Sequence, residues 1–179
     1  AFYGPKIDFH LEDCLGREWQ CGTIQLDFQL PHNFQLEYVD KDGTKKQPIM
    51  IHRAGFGSFE RFIGMLIEQY AGKFPTWLSP CQVKVLPVSE KTRDYANEVA
   101  QTLRDAGVRV KVDDRDEKIG YKIREARSVD RVPYMLILGE KEKEAGNISV
   151  RDRATNETTQ RDLADFVKDI CAEIKGRRG

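Results

Sequence analysis

Apolar and polar residues alternate over the first part of the chain. Ile7, Phe9 and Leu11 are separated by Asp8 and His10, and Ile24, Leu26, Phe28 and Leu30 by Gln25, Asp27 and Gln29. A period of two belongs to strands with one packed and one polar face. Two strands are therefore predicted, joined by a turn at Cys14-Leu-Gly-Arg17. Phe34 to Val39 and Ile49 to His52 read as two more, joined through Asp42-Gly43. The simplest arrangement is an antiparallel sheet. The period then lengthens. Phe59, Phe62, Ile63, Leu66, Ile67 and Tyr70 fall at helical spacing, with Ser58 placed to cap the start, Gly72 beyond the end and Pro75 after it. This helix should lay its apolar stripe on the sheet.

Gly72 to Pro80, which holds Pro75 and Pro80, is the expected domain boundary and divides the chain into 1–77 and 78–179. Beyond it strands and helices alternate. Val83, Val85 and Val88 make a strand, and Ser89 caps a helix carrying Tyr95, Val99 and Leu103 that stops at Gly107. Val108 to Val112 is a second strand, followed by the charged segment Asp113 to Lys118 and a helix through Ile123 and Ala126. Val132 to Leu138 is nearly all apolar, as a buried central strand should be. Ile148 and Val150 lie on a fourth strand, and a last helix carries Leu163, Phe166, Val167, Ile170 and Ile174. Residues 175–179 read as a frayed end. The fold class is thus α/β (α+β): an antiparallel sheet with one helix, then a domain with a mixed, mostly parallel sheet covered by helices.

Composition narrows the reading only slightly. Twenty-nine Lys/Arg balance 29 Asp/Glu, so no basic excess advertises nucleic-acid binding. No run approaches the roughly 20 apolar residues of a membrane span, and no basic start followed by an apolar run marks a secretory signal. The four cysteines are scattered without a CxxC pair, which favours reduced thiols in the cytoplasm over a disulfide framework. The chain opens at Ala1 with no initiator Met, inside what reads as ordered structure, and is expected to be a segment of a longer protein.

The richest local chemistry is Ala54-Gly-Phe-Gly-Ser-Phe-Glu-Arg61. A strand ends, a glycine turn follows, and Arg61 falls in the first turn of the helix. A cation there opposes the helix dipole, at about 0.3–1 kcal/mol when exposed. Free N–H groups and a guanidinium converging on one place suit an anion such as a polyphosphate. Alternatively, Arg61 pairs with a sheet carboxylate such as Asp27 and only holds the fold.

The run resembles motif 3 of class II aminoacyl-tRNA synthetases. Ala1-Phe-Tyr-Gly-Pro-Lys-Ile-Asp-Phe9, Trp19-Gln-Cys-Gly-Thr-Ile-Gln-Leu-Asp-Phe28 and Ile51-His-Arg-Ala54 are similar to the threonyl-tRNA synthetase family in particular. Glu117-Lys-Ile-Gly-Tyr-Lys-Ile-Arg-Glu125 and Val132-Pro-Tyr-Met-Leu136 resemble its anticodon-binding domain. The resemblance covers nearly the whole chain in the family's order.

It implies roles. Arg61 binds ATP phosphate and is the catalytic residue, with Gln20, Thr23 and Ser58 lining the ATP site beside it. Tyr3 and Gln25 contact threonine, and Lys6 is a candidate for the same pocket. His52 corresponds to a ligand of a catalytic-site zinc whose other protein ligands, a cysteine and a histidine, lie upstream of Ala1. Zinc with an open position accepts a hydroxyl, and a site built around that hydroxyl rejects valine. Asp116, Arg124, Glu142 and Arg151 fall where anticodon bases are read. The family pattern has Asn where this chain has Asp116, and a carboxylate has no hydrogen to donate. Bulkier apolar residues are also usual at Gly55-Phe56. The implied function is threonine–tRNA ligation with ATP, Mg²⁺ and Zn²⁺, by a cytoplasmic protein whose full-length form is a homodimer and whose isolated segment is inactive. The alternative is a non-catalytic RNA-binding module derived from a synthetase.

Overall fold

The computed structural model describes residues 3–177, and the chain divides into two units, residues 1–70 and 71–179. In the first, β1 (Lys6–Glu12) and β2 (Glu18–Asp27) form an antiparallel hairpin. Its turn is fixed by the Asp13 carboxylate, which accepts the N–H groups of Leu15 and Arg17, both at 2.9 Å. The alternation predicts a strand through Leu30, but β2 stops at Asp27. The Asp27 carboxylate captures the N–H groups of Gln29 and Leu30 at 2.9 and 3.0 Å. This turns the chain into the short helix α1 (Gln29–Asn33), a side-chain competitor winning over the ladder.

A small hairpin follows, β3 (Tyr38–Val39) against β4 (Lys45–Lys46), around the turn at Gly43. The expected pairing of a strand over 34–39 with one over 49–52 does not occur. β5 (Met50–Ala54) instead pairs with β2, from Thr23 opposite Ala54 to Asp27 opposite Met50, giving the order β1-β2-β5. The ten-residue β2 offers β5 a ladder over its full length, which the two-residue β3 does not.

Ser58 accepts the N–H of Arg61 at 3.2 Å and opens α2 (Phe59–Tyr70). Its apolar stripe is wider than a three-stranded sheet can cover. Phe62, Met65 and Leu66 are half-buried, and Phe62 stacks on Phe56 with centroids 4.6 Å apart. Phe59, Ile63 and Ile67 stay exposed, so the expectation that the whole stripe lies on the sheet holds for one side of it only.

The second unit is a five-stranded sheet in the order β10-β9-β8-β6-β7. β6 (Val83–Pro87) leads through a 3₁₀ turn at Glu90–Thr92 into α3 (Arg93–Asp105), β7 (Val110–Val112), α4 (Ile119–Ser128) and β8 (Tyr134–Leu138). β6 is parallel to both β7 and β8, whereas β9 (Ile148–Asp152) and β10 (Thr158–Arg161) extend the sheet antiparallel. The sheet is therefore mixed in equal parts, less parallel than the sequence predicts. α5 (Glu140–Ala145) and β10 are missed by the pattern. The first is charged at every position but Ala145 and is set by its ends, where Glu142 accepts the Gly139 N–H at 2.8 Å and Gly146 takes φ +65°. The second is an exposed polar edge strand.

Strand order reverses at β6, so successive crossover helices take opposite faces. Val83, Val85, Leu136, Leu138 and Val150 meet Val99, Leu103 and, from α6 (Leu163–Gly176), Phe166 and Ile170. On the other face Leu86 and Met135 meet Ala126 and Ile123 of α4. Leu103 is fully buried, and truncating such a side chain to alanine costs about 2–5 kcal/mol. Residue 175, read as frayed, is still helical, while residues 178–179 lie outside the described ones. The segment after Tyr70 belongs to this unit: Arg131 donates to the Ala71 carbonyl, and Arg153 to that of Phe74 at 2.7 Å.

Beside α4 an ionic network has Lys84 and Asp113 buried at its centre and Arg115 and Asp130 at the surface. Lys84 pairs with Asp130 and, at 3.5 Å, with Asp113, while Arg115 holds Asp113 at 2.6 Å and also bonds Glu125. The hydrogen bond from Arg115 outweighs desolvation and takes the Asp113 carboxyl from 3.8 to about 2. A depressed folded-state pKa stabilises above the unfolded value and stops doing so as pH falls through the folded one. Circular-dichroism melts should therefore lose stability between pH 3.8 and about 2. Asp113→Asn should be less stable at neutral pH and show a shallower loss in that window. An unchanged acid profile would remove Asp113 from the account.

Candidate functional site

The register of β2 decides which side chains meet. Phe9 pairs with Gly22 and His10 with Gln20, leaving Cys21 as a bulge. Gln20 and Thr23 are three positions apart, which in a regular strand puts them on opposite faces. The bulge restores them to one face, as bulges do when they re-aim a side chain. Gln20 Nε2 and Thr23 Oγ1 both donate to Asp8 Oδ1, at 2.7 and 2.9 Å, and Lys6 Nζ lies 2.6 Å from Asp8 Oδ2. Hydrogen bonds from Lys6 and then Thr23 hold the Asp8 carboxyl below its usual range. Three sequence candidates thus gather on one carboxylate that the sequence reading passed over.

Further along the same face a cavity of about 340 Å³ is lined by Tyr3, Gln25, Gln29, Leu30, Asn33 and the Asp27–His52 pair. Lys6, Gln25 and His52 are opposite one another across the three strands. Gly4 brings the Tyr3 segment close, because a Cβ there would sit 2.3 Å from the Leu26 carbonyl oxygen. His52 Nε2 is 2.8 Å from Asp27 Oδ2. Hydrogen bonds from the Leu30 N–H and then from His52 keep the Asp27 carboxyl below its usual range. An ionised carboxylate only accepts, so Nε2 carries the hydrogen and Nδ1 is the nitrogen left for a ligand. One imidazole is not a metal site. Among the described residues no group of three His, Cys, Asp or Glu could hold an ion.

The corner before α2 abuts the bulge. Gly57 takes φ +70°, and a Cβ there would meet the Cys21 carbonyl oxygen at 3.3 Å, so a residue without a side chain suits both demands. Gly55 has open space around it, which is room for the bulkier residue that the resemblance leads one to expect there. Arg61 makes no ion pair among the described residues. Pairing with Asp27 is overturned, since that carboxylate is taken up by His52, Gln29 and Leu30. The Arg61 guanidinium instead stands over Trp19, 5.4 Å from the ring centroid. A contact of that kind is worth about 0.5–1 kcal/mol at an exposed site. Charge-assisted hydrogen bonds to an anion, at about 1.5–3 kcal/mol each, outcompete it. The four nucleotide candidates therefore form two groups, Gln20 with Thr23 at Asp8 and Ser58 with Arg61 at the corner, which adjoin at Gln20 and Cys21.

In the second unit, Glu142 bonds Ser149, whereas Arg151 bonds Asn156. Ser149 and Arg151 project from the same face of β9 as α4. Glu142 Oε1 accepts from Ser149 at 2.8 Å, and desolvation is outweighed by that bond and the Gly139 N–H, leaving its carboxyl below the usual range. Arg151 donates to Asn156 Oδ1 at 2.9 Å while its buried Nε–H has no partner. Arg124 is exposed on α4. Asp116 is exposed before it, in a small cavity with Ser89, Arg93, Arg115 and Lys122 at the C-terminal end of β6, the switch point where open α/β sheets take ligands. Lys122 is buried, donating to the carbonyls of Pro87 and Asp113 at 3.3 and 3.0 Å. Asp8, Trp19 and Lys122 went unnoticed in sequence; the strict alternation around Asp8 was the one available signal.

Residues 82–173 match the anticodon binding domain family, and residues 1–70 the class II tRNA synthetase core domain (G, H, P, S and T). The threonine–tRNA ligase of Clostridioides difficile is 63% identical over 177 residues, which cover 99% of this chain and 28% of that protein. That of Carboxydothermus hydrogenoformans is 58% identical over 178 residues, with the same coverage of 99% and 28%. The chain thus spans 28% of the length of these curated relatives. The crystal structure of the RNA binding domain of threonyl-tRNA synthetase from Cryptosporidium parvum superposes with a TM-score of 0.84 at 43% identity, covering 97% of this chain and 44% of that one. The polar sheet face and glycine corner lie in the matched core segment and the switch point in the matched anticodon-binding domain, and the chain belongs to the threonyl-tRNA synthetase family, with a class II core segment followed by an anticodon-binding domain.

Proposed function

We propose that the protein carrying this chain ligates threonine to its tRNA in the cytoplasm, and that residues 1–70 serve activation while 71–179 serve tRNA recognition. The observation that carries the reading is Arg61: a guanidinium at a helix start with no carboxylate partner among the described residues, next to a polar sheet face with an open cavity. In activation a carboxylate oxygen of threonine attacks the α-phosphorus of ATP and pyrophosphate leaves. In transfer the terminal ribose hydroxyl of tRNA attacks the threonyl carbonyl and AMP leaves. No side chain need be a nucleophile. Arg61 neutralises phosphate charge as it shifts to the leaving group, and Gln20, Thr23 and Ser58 orient the nucleotide. Tyr3, Gln25 and Lys6 orient threonine in the cavity.

Bound Mg²⁺ and Zn²⁺ would neutralise phosphate charge and select the threonine hydroxyl, respectively. His52, oriented by Asp27, would be the zinc ligand among the described residues, with the remaining ligands supplied by other parts of the full-length protein. A homodimer is proposed for the full-length protein. Arg61→Ala in the full-length ligase should slow threonine-dependent pyrophosphate exchange about 10²–10³-fold, the usual loss for a placed transition-state donor. Near-normal exchange would sink the assignment of Arg61; a parent protein that binds threonine tRNA yet shows no exchange at all would favour a non-catalytic RNA-binding module.

For tRNA, Arg124, Glu142 and Arg151 read anticodon bases, which single-stranded recognition does on base edges. Asp116 accepts hydrogen bonds only, so its contribution is limited to bases or sugars that donate. Arg124→Ala should weaken binding of threonine tRNA by about 1–3 kcal/mol, the worth of a good base contact. It should also narrow the gap to a tRNA with a changed anticodon in a filter-binding assay. Equal loss for both tRNAs would make Arg124 a phosphate contact.

A further inference from the structure

The corner holds two arginines near one indole, and only one of them is neutralised. Arg17 and Arg61 each place a guanidinium carbon 5.4 Å from the Trp19 ring centroid. Arg17 donates from Nε to Asp13 Oδ2 at 2.6 Å and from Nη2 to Glu68 Oε2 at 2.6 Å. Arg61 has no ion pair among the described residues. Asp13 is further committed, accepting Trp19 Nε1–H at 2.7 Å and the N–H groups of Leu15 and Arg17. Glu68 is different. Its one ion-pair partner among the described residues is Arg17, and it sits seven residues after Arg61 on α2, two turns along the same helix face.

We infer that Arg17 and Trp19 are positioning residues for Arg61: Trp19 supports the guanidinium, and Arg17 occupies Glu68, the carboxylate that would otherwise neutralise it. The inference rests on the proposed phosphate role of Arg61. It explains a feature that this role leaves open, which is why a helix-start arginine with a carboxylate two turns away remains unpaired. A surface ion pair is weak, but a carboxylate on the same helix is always present at high effective concentration, and a phosphate would have to displace it. Arg17 removes that competitor. Trp19, tied to Asp13 through its indole N–H, gives Arg61 a resting place that a phosphate displaces easily.

The test uses the full-length ligase carrying this segment and reads the KM for ATP and the kcat in pyrophosphate exchange, with thermal melting alongside. Arg17→Met should raise the ATP KM about tenfold with a smaller change in kcat, the mark of lost ground-state binding, at an unchanged melting temperature. Arg17→Gln, which still offers Asp13 a hydrogen bond but releases Glu68, should do the same. The decisive arm is Arg17→Met with Glu68→Gln, where removing the competitor should return the KM to within about twofold of the starting enzyme. A purely structural Arg17 would not be rescued by losing its partner as well. An unchanged KM in both single variants overturns the inference, as does a double variant that stays impaired. If Arg61→Ala itself leaves exchange intact, the phosphate reading fails first and this inference with it; an impaired Arg61→Ala with unaffected Arg17 variants overturns the inference alone.

Discussion

The bulge at Cys21 governs the arrangement of the first unit. Without that one extra residue, Gln20 and Thr23 would face opposite sides of the sheet, and Asp8 would lose one of the three donors it gathers. The same bulge presents the carbonyls of Gln20 and Cys21 to Gly57, so the sheet face and the glycine corner meet at one point. Everything ascribed to nucleotide and amino-acid binding follows from that register. The energies of the individual polar contacts are modest, but a register is all-or-none: a slip by one residue would exchange the two faces completely.

The second unit solves a different problem with similar economy. Its strand order turns at β6, which opens a crevice at the C-terminal strand ends. Lys122 closes the floor of that crevice by bridging the carbonyls of Pro87 and Asp113, and the network of Lys84, Asp113, Arg115 and Asp130 ties the preceding loop to the sheet. The two buried charges among these, Lys84 and Asp113, would be expensive unless paired. Their pairing here fixes the segment carrying Asp116 and the helix carrying Arg124, so surface residues with little structure of their own are held by a rigid base.

Much of this was legible in the chain itself. Alternation located β1 and β2, the 3.6 period located α2, and the near-continuous apolar run Val132 to Leu138 marked the buried strand β8. The family-like segments named His52, Gln25 and Arg61 as site residues, and the fold places Gln25 and His52 on one cavity. The misses share a cause, since each depends on contacts distant in sequence. Asp27 ends its strand by bonding backbone ahead of it, β5 chooses β2 over its nearer neighbour because of length, and α5 is defined by its caps with no apolar stripe at all. Asp8 and Trp19 looked like ordinary strand residues because what distinguishes them is the company brought by the bulge. The stripe of α2 misled in another way: periodicity reports that a face is apolar, not how much of it one sheet can cover, and Phe59, Ile63 and Ile67 remain outside.

In the proposed reading, the sheet surface and the helix corner take one anionic ligand beside one small polar one. The most direct measurement is a crystal structure of the full-length ligase with a non-hydrolysable ATP analogue. The account predicts that the Arg61 guanidinium leaves Trp19 to bond a phosphate oxygen, with Gln20 and Thr23 alongside the nucleotide. A structure in which the analogue binds elsewhere while Arg61 remains on Trp19 or pairs with Glu68 would contradict it.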